Sequence, residues 1–196
     1  MKYQQTLIEL IKGDSALMNC LHQAEQLQLA SWCIGAGAIR NMVWDTLHNF
    51  KSRTPLNDID VVYFDNSDLS VNTEKTYLAK LQSLAPNQPW EVVNQARVHL
   101  WYPKTFGIAV SPITSLENGL ATWPETATCV GAYIQNGNVQ IIAPFGLQDL
   151  FELKLRHNPT RASLKLFDQR LTSKAFQSTW PQLTVIGSNS GLKITC

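Results

Sequence analysis

Residues Trp32 to Asp65 read WCIGAGAIRNMVWDTLHNFKSRTPLNDIDVVYFD, and the fold follows from how this stretch is parsed. Trp32, Cys33 and Ile34 are a short apolar strand. Gly35-Ala36-Gly37 is a turn, and a helix runs from Ala38 to about Asn49 with Met42, Val43 and Leu47 toward the core. Lys51 to Asn57 is polar and carries Pro55, so no regular element persists there. Asp58 to Phe64 is β-branched and aromatic, a second core strand. The glycines at 35 and 37 remove Cβ atoms where a phosphate would approach the backbone. The following helix aims its first N–H groups at the same place. Arg40, one turn in, has a planar fork suited to phosphate oxygens, and Asn41 follows it.

Asp58 and Asp60 are two apart on a strand, so their side chains share a face. Two carboxylates about 6 Å apart repel by roughly 3 kcal/mol at an effective dielectric near 20. That is about two pKa units. A folded chain separates such a pair, turns it into water, or places a cation between. Oxygen-only ligands with open positions suit Mg²⁺ or Mn²⁺, which keep waters and bind substrate phosphates. A lone D-x-D is commonly just a solvated strand end; here the glycine turn and Arg40 shift the balance toward a site. Asn57, just before the pair, is placed to hold the loop or a metal-bound water.

Outward from this stretch, apolar spacing predicts a helix over Tyr3 to Lys12, ended by Gly13. Asp14 or Ser15 caps a second helix whose inner face holds Leu17, Met18, Leu21, Ala24, Leu27 and Leu29. Asp65 to Asp68 is a turn. A helix covers Asn72 to Ala85, Pro86 to Pro89 breaks it, and Trp90 to Val93 is a third strand carrying Glu91. Asn94 to Tyr102 is compatible with a continuing strand or with a turn and short helix. In an extended run Gln95, Arg97 and His99 share a face and are candidate substrate contacts. Ser111-Pro112 starts a helix to about Ala121. Asn-Gly at 136–137 joins Thr128–Ile134 to Val139–Ile142 as a hairpin. Gly146 to Arg156 and Arg161 to Phe176 read as helices, with Arg156, His157 and Arg161 as a solvated helix end. The tryptophans at 44, 90, 101, 123 and 180 are assigned to the core. The last ten residues are small and polar, as in a disordered tail.

The 196 residues, 44% of them apolar, suit one α+β domain: a core over about 30–158 and a helical segment over about 159–180. A net charge of +1 offers no basic field for a long nucleic acid. The first residues lack the apolar core and cleavage site of a signal peptide, and no run approaches a membrane span. The four cysteines lack C-x-x-C spacing and have no histidine at metal-finger spacing, which argues against zinc. Cys20 and Cys33 sit in apolar settings as small buried hydrophobes, and a reducing cytoplasm is the simplest location.

Strand, G-x-G, helix and a later acid also outline a dinucleotide-binding unit. Two features oppose it. Arg40 stands where the third glycine should be, and Asp58 and Asp60 begin their strand, with VVYF after them, whereas the acid of that unit ends its strand.

GAGAIRN followed by NDIDVVYFD resembles the nucleotidyltransferase superfamily built on the polymerase-β-type fold. GAIRN is similar to the G-G-x-V-R-D of tRNA-CCA-adding and poly(A)-polymerase enzymes. TPLNDIDVVYFD, NQARVHLWY, WPETAT and APFGLQDLF together resemble a small bacterial nucleotidyltransferase-like family, over about Trp32 to Asn158. The resemblance implies a mixed β-sheet flanked by helices. It implies that Asp58 and Asp60 bind Mg²⁺ (or Mn²⁺) and that an NMP passes from an NTP to an acceptor hydroxyl, releasing pyrophosphate. Gly35, Ala36, Gly37, Arg40 and Asn41 then form the nucleotide-binding turn. Superfamily members usually carry a third carboxylate on the next core strand, a place Glu91 occupies, with Asp149 the weaker substitute. Asn57, Gln95, Arg97 and His99 are possible substrate contacts. Ala36 departs from the usual glycine, and no serine follows Gly35. The acceptor is expected to be a small molecule or protein; a catalytically inactive nucleotide-binding or protein-interaction module of the same fold is the alternative.

Overall fold

A computed structural model describes residues 2–187. Helices α1 (Gln4–Gly13) and α2 (Ser15–Glu25) come first. Asp14 separates them, its carboxylate accepting from the Leu17 N–H at 3.0 Å as an N-cap. Then follow β1 (Trp32–Gly35), α3 (Gly37–Leu47), β2 (Ile59–Tyr63), α4 (Val71–Leu84) and β3 (Trp90–Asn94). A 3₁₀ turn over Gln95–Arg97 leads into α5 (Val98–Phe106), followed by α6 (Leu116–Leu120) and a second 3₁₀ turn over Thr126–Thr128. The hairpin β4 (Gly131–Gln135) and β5 (Asn138–Ile142), α7 (Gln148–Phe151), β6 (Lys154–Arg156), α8 (Leu164–Ser173), α9 (Phe176–Thr179) and β7 (Thr184–Ile186) complete the order.

The main sheet has the order β3-β2-β1-β4-β5. β1 is antiparallel to β2 and β4, whereas β2 and β3 are parallel, so the sheet is mixed, as expected. The antiparallel β1–β2 pair excludes the dinucleotide unit, whose first two strands are parallel. Alternation along the strands separates two faces. Trp32, Ile34, Ile59, Val61, Tyr63, Trp90 and Val92 enter the main core with the apolar faces of α1 to α4. Cys33 and Val62 face the other way, under Leu116 and Leu120 of α6. That second layer is short. It leaves Asp60 and Glu91, the polar members of the same face, outside its cover.

Three expectations are corrected and one open reading is decided. Of the two alternatives for Asn94 to Tyr102, the turn and short helix is the one formed. The Asn94 side chain accepts from the Ala96 and Asp65 N–H groups and donates to the Asp65 and Asp68 carbonyls, which closes β3 and starts a helical turn. The helix expected from Ser111 begins later, because Ser115 is the cap that accepts from the Asn118 N–H at 3.0 Å. Gly146 to Arg156 is one helical turn and then a strand, separated by Leu153 at φ 54°. Arg161 to Phe176 is broken at both ends. Ser163 caps α8, leaving Arg161 in the preceding loop, and Ala175 at φ 50° separates α8 from α9.

After Trp180 the chain forms β7, parallel to β6. The disordered tail expected over the last ten residues falls on 188–196, outside the described residues, apart from Gly187. Cys20, Cys33 and Cys129 are buried and free. Among the described residues no helix is long and apolar enough to cross a membrane.

Candidate active site

The turn between β1 and α3 is tight and strained. Ala36 sits at φ 47°, ψ −115°, outside the regions an L-residue favours, and costs on the order of 1–3 kcal/mol. Its N–H donates to the Val130 carbonyl just before β4, and its carbonyl accepts from the Arg40 N–H. No side chain caps α3, so its first N–H groups remain available. The two glycines serve different ends. A Cβ at Gly35 would lie 2.5 Å from the Trp123 ring, so that glycine admits an indole. A Cβ at Gly37 would stand 3.7 Å from both Arg40 Nη2 and Asp58 Oδ1. The turn, the guanidinium and the first carboxylate therefore lie side by side.

β2 begins at Ile59, so Asp58 is the residue just before the strand. In the parallel pairing of β2 with β3, Asp60 stands opposite Glu91. Burial first, and then the charges of Asp58 and Glu91, push the Asp60 carboxyl up to about 7, against the pull of Lys174 and Arg40. Among the described residues no ion pair includes Asp58, Asp60 or Glu91. Nor do three or more His, Cys, Asp or Glu side chains form a ready-made metal cage. The donor chemistry nonetheless fits a hard divalent cation. Two carboxylates are enough for Mg²⁺, which fills its remaining positions with water and substrate phosphate.

Arg40 is buried, and its Nε and Nη2 donate to Asn41 Oδ1 at 3.1 and 2.7 Å. The rings of Phe176, Trp44 and Trp180 surround its guanidinium at 4.9, 5.4 and 5.8 Å. Burial lowers its pKa to about 10, which leaves it charged at neutral pH.

Two cavities meet at these groups. A polar one of about 170 Å³ is lined by Gly37, Arg40, Asn41, Asn57, Asp58 and Lys174. A larger one of about 370 Å³ holds Ala36, Arg40, Asp60, Glu91 and Gln95, with Trp101, Tyr102, Trp123, Arg161 and Arg170 around them. Arg40 lines both. Gln95 is buried against Gly119, where a Cβ would come within 2.9 Å of its side chain. Two candidates are placed elsewhere. Arg97 pairs with Glu74 and donates to the Leu69 carbonyl. His99 lines neither cavity. Asp149, the substitute third acid, is bound to Arg156 and Thr126.

Sequence reasoning missed much of the larger cavity. Arg161 was expected in solvent and Trp101 and Trp123 in the core; all three line it, whereas Trp44, Trp90 and Trp180 are buried. Arg170 and Glu125 were not singled out. Glu125 is fully buried, bonded by Arg170 at 2.6 and 3.2 Å and by the Thr128 hydroxyl at 3.1 Å. Its one sequence signal was its place in WPETAT, a motif without evident chemistry.

A nucleotidyltransferase family model matches residues 22–185, which include the turn, all three acids and both cavities. The chain belongs to that family. A solved NMR structure described as revealing a CCA-adding enzyme head domain superposes on this nucleotidyltransferase family member with a TM-score of 0.77 and 25% identity, covering 96% of this chain and 98% of that one. A CCA-adding enzyme in complex with CTP has a TM-score of 0.55 at 12% identity, covering 94% of this chain and 43% of that one. Another, in complex with ATP, has a TM-score of 0.50 at 15% identity over 96% and 42%. The chain thus spans less than half of those two enzymes, and they establish shared fold alone. No curated protein matches.

Proposed function

We propose that the chain transfers an NMP from an NTP to an acceptor hydroxyl and releases pyrophosphate. One observation carries this reading: Asp60 and Glu91 stand opposite each other on parallel strands beside Asp58, without ion-pair partners among the described residues, at the meeting point of two cavities that share Arg40. The CTP and ATP complexes of the similarly folded enzymes support an NTP as donor.

The α3 N–H groups and Arg40 bind the phosphates, and Asn41 holds the Arg40 fork in place. Asn57 and Lys174 close the same polar cavity. Asp58 and Asp60 would hold a divalent cation, Mg²⁺ or Mn²⁺, which would neutralise phosphate charge when bound. Glu91 takes the proton of the acceptor hydroxyl as its oxygen bonds to the α-phosphorus. The bond from the α-phosphorus to the bridging oxygen breaks, and that oxygen leaves with pyrophosphate. Gln95 flanks the acceptor side. With a net charge of +1, a small molecule or protein side chain suits the acceptor better than a long nucleic acid.

The test is transfer of an α-phosphate label from NTP into cell extract with Mg²⁺. Labelling by the wild type, lost in Asp58→Ala and Asp60→Ala, supports the proposal. Mg²⁺-dependent NTP binding without labelling of any acceptor makes the protein a binding module. The absence of any Tm shift with NTP or metal removes the site itself.

A further inference from the structure

We infer that the larger cavity is the acceptor subsite, and that it takes a small hydroxyl compound combining a planar ring with an anionic group. This rests on the nucleotidyl-transfer reading and names the substrate class of the same site. The groups along the cleft fall in a definite order. Asp58, Arg40, Lys174 and the turn line the small polar cavity, which suits phosphates and has no aromatic platform beyond Trp180. Asp60 and Glu91 line the larger one. In phosphoryl-type transfer the attacking and leaving oxygens lie roughly in line. With pyrophosphate leaving on the Asp58–Lys174 side, the attacking hydroxyl enters from the opposite side, where Glu91 stands.

The walls of that side define the compound. Trp101, Tyr102 and Phe106 of α5 form a continuous aromatic run, with ring centroids 5.9 and 4.5 Å apart along it. Phe106 is 42% exposed, a large apolar ring left at the cavity mouth. Aromatic walls of this kind stack on planar rings. The cation is Arg161. Its guanidinium lies 5.7 Å from the Tyr102 ring centroid, and Nη2 donates to the Ser111 carbonyl at 3.0 Å. Its Nη1 is buried without a hydrogen-bond partner, and among the described residues Arg161 joins no ion pair. Arg170, in the same cavity, is already engaged by Glu125. A buried unpaired N–H beside an aromatic ring is completed by a phosphate or carboxylate oxygen.

Phenyl phosphate is the probe, titrated by calorimetry into the full chain, with phenol and inorganic phosphate as its separate halves and benzoate as the carboxylate counterpart. Saturable binding of phenyl phosphate or benzoate, at least tenfold tighter than either half, supports the inference. Arg161→Gln should weaken the anion at least tenfold while phenol binding is unchanged. Trp101→Leu should erase the advantage of phenyl phosphate over inorganic phosphate. Both variants are accepted only with wild-type Tm; if Arg161→Gln does not fold, Arg161→Lys replaces it, with the same loss expected because a point charge cannot reproduce the fork. The wild type should bind phenyl phosphate and ATP–Mg²⁺ together. Mutual exclusion assigns the cavity to the nucleoside and overturns the acceptor role. Binding indifferent to both Arg161 and Trp101 overturns the subsite. Failure of ATP–Mg²⁺ to bind overturns the transfer reading and with it the acceptor role, while the phenyl phosphate titration still decides the ring-and-anion chemistry.

Discussion

The chain treats two sets of carboxylates in opposite ways. Glu125 is fully buried and fully satisfied, with Arg170 on both oxygens and the Thr128 hydroxyl besides. Asp60 stands opposite Glu91 and feels the charge of Asp58, and no ion pair reaches any of these three among the described residues. The protein therefore has the means to neutralise a buried acid here and applies them to only one. Glu125 belongs to the scaffold, tying the turn before β4 to α8. The acid edge is left in a state that folding alone disfavours, as in sites where perturbed groups perform chemistry.

This contrast can be broken in order of expected effect. Asp60→Ala and Asp58→Ala should each lower label transfer about a thousandfold or more, on the order of 4 kcal/mol, without unfolding the chain. Glu125→Ala should do the reverse of that pattern. It strands Arg170 and should cost about 3–5 kcal/mol in urea unfolding, whatever its effect on transfer. Glu91→Gln should reduce transfer about a hundredfold while leaving Mg²⁺-dependent NTP binding near wild type, the signature of a lost proton acceptor. Asp60→Asn should raise the metal-free Tm by a few degrees at pH 8, because it removes a charge that burial and two neighbouring acids disfavour. A fall in Tm would place Asp60 with Glu125, among the structural acids.

Asp149 supplies the pH form of the same contrast. Burial works to raise its pKa, but hydrogen bonds from Arg156 and Thr126 prevail and hold it below the usual carboxylate value. A depressed folded-state pKa contributes stability above the unfolded value and loses it as pH falls through the folded one. Asp149→Asn should therefore lower the wild-type stability at pH 6 and flatten its loss below about pH 4. The smallest effect belongs to the turn. Ala36→Gly relieves a strained φ of 47° and should stabilise by about 0.5–1 kcal/mol, net of the entropy glycine adds to the unfolded chain.

Much of the fold was legible because its signals are local. Asp14 capping α2, the VVYF run of β2 and the Asn-Gly hairpin all act within a few residues. Open or mistaken readings fall where a distant or backbone-level interaction decides. Asn94 ends β3 through bonds to Asp65 and Asp68, far back in the chain. Leu153 and Ala175 break helices at positive φ, which their side chains do not advertise. The strand positions of Asp60 and Glu91 could be read from the sequence, because period follows from strand geometry, whereas Asp58 falls just before β2. Arg161 and Arg170 could not, because a loop and α8 bring them to the cavity, nor could Glu125, whose partner Arg170 is 45 residues away in the chain. Gly35 was read as room for phosphate, whereas its missing Cβ makes space for Trp123.

Central to the proposed transfer is that the acid pair and the glycine turn hold a nucleotide together with a divalent cation. Calorimetric titration of ATP and CTP tests it directly, with Mg²⁺ and with EDTA, in the wild type and in Asp58→Asn and Asp60→Asn. Binding by the wild type that requires Mg²⁺ and weakens at least tenfold in both variants is the predicted result. Binding of equal strength in EDTA, or unchanged in the variants, would contradict it.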